Sequence, residues 1–270
     1  MDKKYLLRLQ KIELEILVVV SEICEKHDII YCLQGGTLLG ALRHNGFIPW
    51  DDDIDITMPR KDFEKFIDVC KMELPNDYYL QTYRTDGINY KPYAKVRKNG
   101  TVFLENNNDK AVGNNGIFID IFPLDSTKKE NGKNVKVKNG MLRIVNNILM
   151  IKAGLHRRNI IKSGISALLP MKFLQYYQQF LMKSVGDESD PYFVSMGGTL
   201  DVVKQTFPKE TYYPVKKHKF EQYEFNIPSD ADYYLSRVYG KYMELPPEDK
   251  RHTHDPYKIE FNDGEEDYYV

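Results

Sequence analysis

The sequence predicts an α/β chain of the α+β kind: a mixed sheet with flanking helices and a mainly helical basic insertion. Three observations carry that reading. Segments of alternating apolar residues recur between segments with helical apolar spacing, which argues for strands and helices sharing one core. Glycine, proline and Asn-Gly signals separate them. Finally, residues 131–186 contain ten Lys or Arg and no acid, so all 39 Asp and Glu lie elsewhere.

Leu6, Leu9, Ile12, Ile16, Val20 and Ile23 repeat at helical spacing and predict a helix over residues 4–27. "IIYCLQ" reads as a short buried strand. "GGTLLGALRHNG" opens on two glycines and reads as a short helix, with Thr37 as N-cap and Gly46 past its end. "DIDITM" alternates as a strand. "PRKDFEKFIDVCKMEL" begins on Pro59 and sets Phe63, Phe66, Ile67 and Cys70 on one helical face. "YYLQTY", "YAKVRKNGTVFLE" and "GIFIDIF" read as strands, and Asn99-Gly100 signals a hairpin in the second.

Helical patterning returns in "MLRIVNNILMIKAGL" and "LLPMKFLQYYQQFLMKSV". "KQTFPKETYYPVKKHKFEQYEFNIP" reads as strands, and "DADYYLSRVYG" as a helix stopped by Gly240. The expected organisation is a catalytic core over residues 1–130, a basic helical subdomain over 131–190, and a segment over 191–270 that completes the core. "QGGTLL" and "MGGTLD" look alike, but one short match reads as chance.

Composition sets outer bounds. A net charge of -1 over 270 residues gives no global bias toward nucleic acid. Cys24, Cys32 and Cys70 are odd in number and lack C-x-x-C spacing, so neither a disulfide framework nor a zinc site is expected. Arg8, Lys11, Glu13 and Glu15 interrupt the apolar N-terminal stretch, which excludes a signal peptide. No apolar run reaches the roughly 20 residues of a membrane span. A cytoplasmic protein is expected.

The chemistry concentrates in "GFIPWDDDIDITMPRKDF", where Asp51, Asp52, Asp53 and Asp55 crowd one short segment. Such carboxylates repel one another and are costly to desolvate without a positive partner. Strand alternation would put Asp51, Asp53 and Asp55 on one face, Asp52 on the other, and Ile54 and Ile56 in the core. Carboxylates at i and i+2 lie about 6–7 Å apart at the backbone. They can converge on one ion or bridge two that are about 3.5–4 Å apart. All-oxygen ligation suits Mg2+ or Mn2+. Asp120, set between Ile119 and Ile121, would be a costly lone burial and is read as a third carboxylate of the same site. A solvated acidic turn and a calcium-held loop are the competing readings of the acidic segment. "LQGGTLLG" follows a strand and opens a helix, a context in which glycines let backbone N–H groups approach phosphate. It is not a Walker A loop, because the Lys-Ser/Thr is missing.

"GGTLLGALRHNGFIPWDDDIDITMPRKDFEKF" resembles the signature of the LicD family. That family includes bacterial phosphocholine transferases and, more distantly, fukutin-type ribitol-phosphate transferases. The resemblance continues through "KVRKNGT", "GIFIDIFPLD" and "FEQYEFNIPSDADYYLSRVYGKYMELPPEDKRHTHD". It implies a nucleotidyltransferase-like fold with Gly35 and Gly36 at the phosphates and Asp53 and Asp55 on the metal. Asp120 would be ligand or base. It also implies transfer of an alcohol phosphate, phosphocholine first among the candidates, from a CDP-linked donor such as CDP-choline. The acceptor would be a sugar hydroxyl of a surface glycan such as teichoic acid, lipopolysaccharide or capsule, and CMP would leave.

Thr37, Arg43, Lys95 and Arg97 are the further candidates for the donor phosphates. Trp50 reads as core or as a stacking platform. Arg251, His252 and His254 read as polar or phosphate contacts. Tyr83, Tyr90 and Tyr93 are candidates for an aromatic cage around choline. The basic segment is expected to complete the core or to meet the inner face of the membrane, where a lipid-linked acceptor would sit, through Lys152, Arg157, Arg158 and Lys162. The alternatives are a nucleotidylyltransferase that releases pyrophosphate, a glycosyltransferase with an Asp-x-Asp metal site, and a non-catalytic nucleotide- or glycan-binding protein.

Overall fold

The computed structural model describes residues 1–105, 113–130, 132–155, 168–198, 200–251, 253 and 256–269. It is a mixed α/β structure. Helix α1 (Lys3–Lys26) is capped by the Asp2 side chain, which accepts from the Lys4 N–H at 2.9 Å. Next come β1 (Cys32–Leu33), α2 (Gly35–His44), β2 (Asp55–Pro59), α3 (Arg60–Glu73), β3 (Tyr78–Gln81), β4 (Ala94–Lys98), β5 (Val102–Leu104) and β6 (Phe118–Thr127). Helices α4 (Lys133–Lys152) and α5 (Met171–Lys183) follow. The chain continues through β7 (Tyr192–Ser195), β8 (Thr206–Pro208), β9 (Lys216–Phe220), β10 (Tyr223–Ile227), α6 (Ala231–Tyr239), β11 (Lys258–Glu260) and β12 (Tyr268–Tyr269).

Strand β6 organises the central seven-stranded sheet. It runs parallel to β2 and antiparallel to β4 and β7. Strands β1 and β3 extend the sheet beyond β2 and β4, and β8 beyond β7. Strands β9 and β10 pair with each other, and β11 joins β5 to β12. Ile54, Ile56, Ile119 and Ile121 are fully buried in the main core, where each contributes about 1.5–3 kcal/mol. A second buried cluster lies between α4, α5 and the β7 region. Among the described residues, no helix is long and apolar enough to cross a membrane.

Three local expectations need correction. Thr37 lies inside α2 and does not cap it; the cap residue is Gln34, without a side-chain bond. Asn99-Gly100 does form a turn, with Gly100 at φ +81°, but no β4–β5 hairpin results. Strand β5 pairs with β11 instead, because the edge of β4 is taken by β3. Asp51, Asp52 and Asp53 precede β2 in irregular backbone, so strand alternation does not govern them. The Gly240 stop is as expected, with Asp230 capping α6 through the Tyr233 N–H.

Two polar devices tie elements together. At the far end of β6, Asp125 is 2% exposed and receives two hydrogen bonds of 2.7 Å from Arg60. On α5, three buried glutamines grip the loop before β4. Gln175 donates to the carbonyls of Asp86 and Asn89, Gln178 to that of Tyr90, and Gln179 to that of Pro92.

Removing Arg60 would leave the Asp125 carboxylate buried without its partner. Arg60→Met should therefore lower stability by about 3–5 kcal/mol, and Arg60→Met with Asp125→Leu should recover most of that loss. Urea unfolding of the two variants against the parent chain measures both.

Candidate active site

The site grows from the register of three strands. Asp55 on β2 lies opposite Asp120 on β6, and Asp120 lies opposite Lys95 on β4. Cross-strand neighbours share a face, so two carboxylates and an ammonium are forced together in the middle of a sheet. Lys95 Nζ sits 2.7 Å from Asp120 Oδ1 and 3.2 Å from the Phe118 ring centre. Burial drives the Lys95 ammonium down to about 8, with Asp120 opposing and Lys91 and Arg97 reinforcing the fall.

The turn from β1 into α2 closes one side. Gly35 has φ +59°, and an added Cβ would meet Asp55 Oδ2 at 3.2 Å. At Gly36 a Cβ would lie 2.9 Å from Asp51 Oδ2. Glycine is thus required at Gly35 by backbone and at Gly36 by proximity to a carboxylate. Thr37, buried beneath them, accepts the Asp55 N–H at 2.9 Å and so locks the turn to the start of β2.

All four aspartates line a cleft of about 570 Å³ together with Gln34, Gly35, Gly36 and Asp120. Asp52, expected to point away, lines it too because the irregular backbone turns it inward. Asp55 is pushed well above the usual carboxylate range, by burial first and then by Asp53, Asp120 and Asp51. Among the described residues, no group of three or more His, Cys, Asp or Glu side chains is placed to hold a metal ion as it stands. The acids stand open around the cleft.

The cleft is also lined by the rings of Tyr93, Phe103, Phe118 and Phe122 and by Lys91 and Glu105, with Phe118 and Phe122 on the same face of β6 as Asp120. Gly197 and Gly198 complete it, so the two similar Gly-Gly stretches face one cleft. Gly197 leaves room for the rings, since a Cβ there would meet Tyr93 at 3.2 Å and Phe122 at 3.4 Å. Tyr239 of α6 approaches from the C-terminal side.

The structure brings together Gly35, Gly36, Asp53, Asp55 and Asp120 as the sequence suggests. Lys95 and Arg97 line a smaller adjoining cavity behind Phe118 and not the main cleft. Arg97 is committed to Gln81 Oε1 and the Gly116 carbonyl. Arg43 is not brought to the cleft; its guanidinium donates to the Tyr242 and Glu244 carbonyls and fastens the C-terminal segment to α2. Trp50 packs against the core beside Arg251. Tyr83 lies away from the cleft with Arg84 and Glu64, Tyr90 lines the adjoining cavity, and Tyr93 alone of the three reaches the main cleft. His252 and His254 lie outside the described residues.

Sequence reasoning missed the support from α1. Gln10 donates to the Asp51 carbonyl at 2.8 Å. Glu13 is 2% exposed, and its Oε2 has no hydrogen-bond partner. Burial, then Asp53, Asp52, Asp51 and Asp55, hold its carboxyl well above the usual range. The signal was present: Glu13 falls four residues after Leu9 and four before Leu17, inside the apolar stripe.

Comparison with known proteins accords with this geometry. Residues 28–145 match the family model described as LicD/FKTN/FKRP, nucleotidyltransferase domain. The chain is 31% identical over 261 residues to the lipopolysaccharide cholinephosphotransferase LicD of Haemophilus influenzae, covering 93% of this chain and 97% of that protein. The chain belongs to the LicD family. An uncharacterized protein of Rickettsia prowazekii and another of Rickettsia typhi are each 51% identical over 48 residues, 18% of this chain. The LicD-type model spans the glycine turn, the acidic segment, Lys95 and Asp120, which are the parts that the β2–β6–β4 register assembles.

Crowding at Asp55 makes a stability prediction with a definite sign. Its carboxyl holds a proton more tightly folded than unfolded, so ionisation costs stability as pH rises above the unfolded carboxylate range of about 4. Asp55→Asn removes that cost. In chelator at pH 7 the variant should melt about 2–4 °C higher, the shift that ~1 kcal/mol gives at this chain length, and the difference should vanish near pH 4. Thermal melts at the two pH values check it.

Proposed function

We propose that this chain transfers phosphocholine from a CDP-linked donor to a sugar hydroxyl of a cell-surface glycan. The observation that carries the reading is a single cleft lined by both carboxylates and aromatic rings. A phosphocholine donor needs both, since its diphosphate is anionic and its headgroup is a quaternary ammonium. Tyr93, Phe103 and Phe122 offer faces to the trimethylammonium, with Glu105 at the edge as countercharge. Membership of a family whose Haemophilus influenzae relative is named a lipopolysaccharide cholinephosphotransferase supports the same class of reaction.

In the proposed reaction the acceptor oxygen attacks the phosphorus that bears the alcohol. The new P–O bond forms, the bond to CMP breaks, and CMP leaves with the electron pair. Asp120 takes the proton of the attacking hydroxyl. Lys95 steadies the position and charge of Asp120 from the neighbouring strand. The Gly35-Gly36 turn lets the donor phosphates approach backbone N–H groups at the start of α2.

The cleft offers carboxylate oxygens of the kind a divalent cation takes. Glu13 Oε2 lacks a hydrogen-bond partner and Asp55 is pushed toward its neutral form, both marks of crowded negative charge. Asp53 and Asp55 would hold Mg2+ or Mn2+, which would supply charge neutralisation at the diphosphate.

Incubation with a panel of CDP-alcohols and glycan acceptors tests the function. CMP release from CDP-choline that requires both an acceptor and Mg2+ or Mn2+, and that EDTA stops, is expected. Pyrophosphate release from a nucleoside triphosphate without CMP release would assign the chain to nucleotidylyl transfer instead. Asp120→Asn should keep the melting temperature within a few degrees and lower turnover by about 10²-fold or more. Phe122→Ala should raise KM for CDP-choline more than for a CDP-alcohol without a cationic headgroup, which steady-state kinetics on the two donors will show.

A further inference from the structure

The outer face of the α4–α5 pair is unlike the rest of the surface. The two helices bury Val135, Leu142, Val145, Leu149, Leu174 and Leu181 in their own cluster. Yet on α4 Val137, Met141 and Ile144 remain 60%, 39% and 59% exposed. On α5 Phe173, Tyr176 and Phe180 remain 54%, 58% and 61% exposed. Tyr177, packed against the buried cluster, stacks with Phe173 and with Phe180 at 6.1 Å between ring centres in each case. Large apolar side chains gathered in this way on adjacent helices mark a contact surface.

Among the described residues, the charge beside this ridge is mainly basic, with Lys183 paired to Glu64. Lys133, Lys136 and Arg143 are exposed on α4, on the arc next to Val137 and Ile144. Lys128, Lys129, Lys133 and Lys183 line an open groove of about 560 Å³ at the start of α4, where Asp187 is the single acid. The sequence over 131–186 contains no Asp or Glu. A second copy of the chain in a two-fold contact would set this basic arc against itself. An apolar and aromatic ridge flanked by lysine and arginine fits a surface with an apolar interior and anionic heads.

We infer that the outer face of α4 and α5 docks on an anionic lipid bilayer. Phe173, Tyr176, Phe180, Val137 and Ile144 enter the interface, while Lys133, Lys136 and Arg143 meet the headgroup phosphates. The face is mechanically joined to the cleft. Gln175, Gln178 and Gln179 of α5 hold the carbonyls of residues 86–92, the loop that delivers Lys91 and Tyr93 to the cleft. A docked helix pair therefore sets the orientation of the cleft relative to the bilayer. Arg157, Arg158 and Lys162 lie outside the described residues and are not part of the surface as defined. The inference stands apart from the transferase reading, because its test reads binding without turnover.

Co-sedimentation of the full chain with phosphatidylcholine vesicles, with and without phosphatidylglycerol, decides it. The chain should pellet with the anionic vesicles at low salt and less so at high salt. Ile144→Glu with Phe180→Glu should weaken binding at least ten-fold, as should Lys133→Glu with Lys136→Glu, while circular dichroism melts stay unchanged. Protein that stays in the supernatant with anionic vesicles at low salt overturns the inference. So does vesicle binding that the Ile144→Glu, Phe180→Glu variant retains in full. Sedimentation velocity that finds a dimer in the parent chain and a monomer in that variant would give the face to a second copy instead.

Discussion

The in-register row Asp55–Asp120–Lys95 is the constraint on which the rest of this structure depends. Three charged side chains side by side in a sheet interior are unfavourable unless their surroundings compensate. One compensation is internal, the Lys95–Asp120 ion pair. The other is an open cleft, which keeps Asp53 and Asp55 within reach of solvent and ligand. Neighbouring features serve that arrangement. The glycine turn makes room for the carboxylates, Thr37 fixes the start of β2, and Gln10 holds the acidic loop by its backbone.

Two lysines occupy aromatic faces around the site. Lys95 lies over Phe118 at 3.2 Å, and Lys91 lies 5.7 Å from the ring centre of Tyr93. These rings thus already stabilise cations, and Phe103 and Phe122 line the same cleft. Like-charge repulsion from the lysines disfavours a second cation close to them.

The two hydrophobic clusters are separate, yet α5 joins them through polar groups. Its glutamines face inward and satisfy carbonyls of a loop that has no regular partners there. Buried amides at these positions fix the loop more specifically than apolar side chains would, because each needs a particular carbonyl. The Arg60–Asp125 pair does similar work at the other end of β6, where it joins α3 to the sheet.

Much of this was legible in the linear sequence. Apolar periodicity placed α1, α3, α4 and α5 and the strands around Ile56 and Asp120, because burial of one face is a local pattern repeated many times. The Gly-Gly turn, the acidic segment and the lone Asp120 marked the site, since each departs from what an ordinary core tolerates. The sequence did not determine partners. Asn99-Gly100 promised a hairpin, yet β5 pairs with β11 because long-range pairing overrode a local turn. Arg43 and Arg97 looked like phosphate ligands, but tertiary structure spent their donors on backbone carbonyls and Gln81. Glu13 gave the converse case, a residue noted in the sequence only as a break in an apolar stretch, yet buried and coupled to the four aspartates in the structure. Spacing along one chain fixes which side chains share a face. Only the packing of distant elements decides what that face meets, because those contacts join residues with no common local pattern.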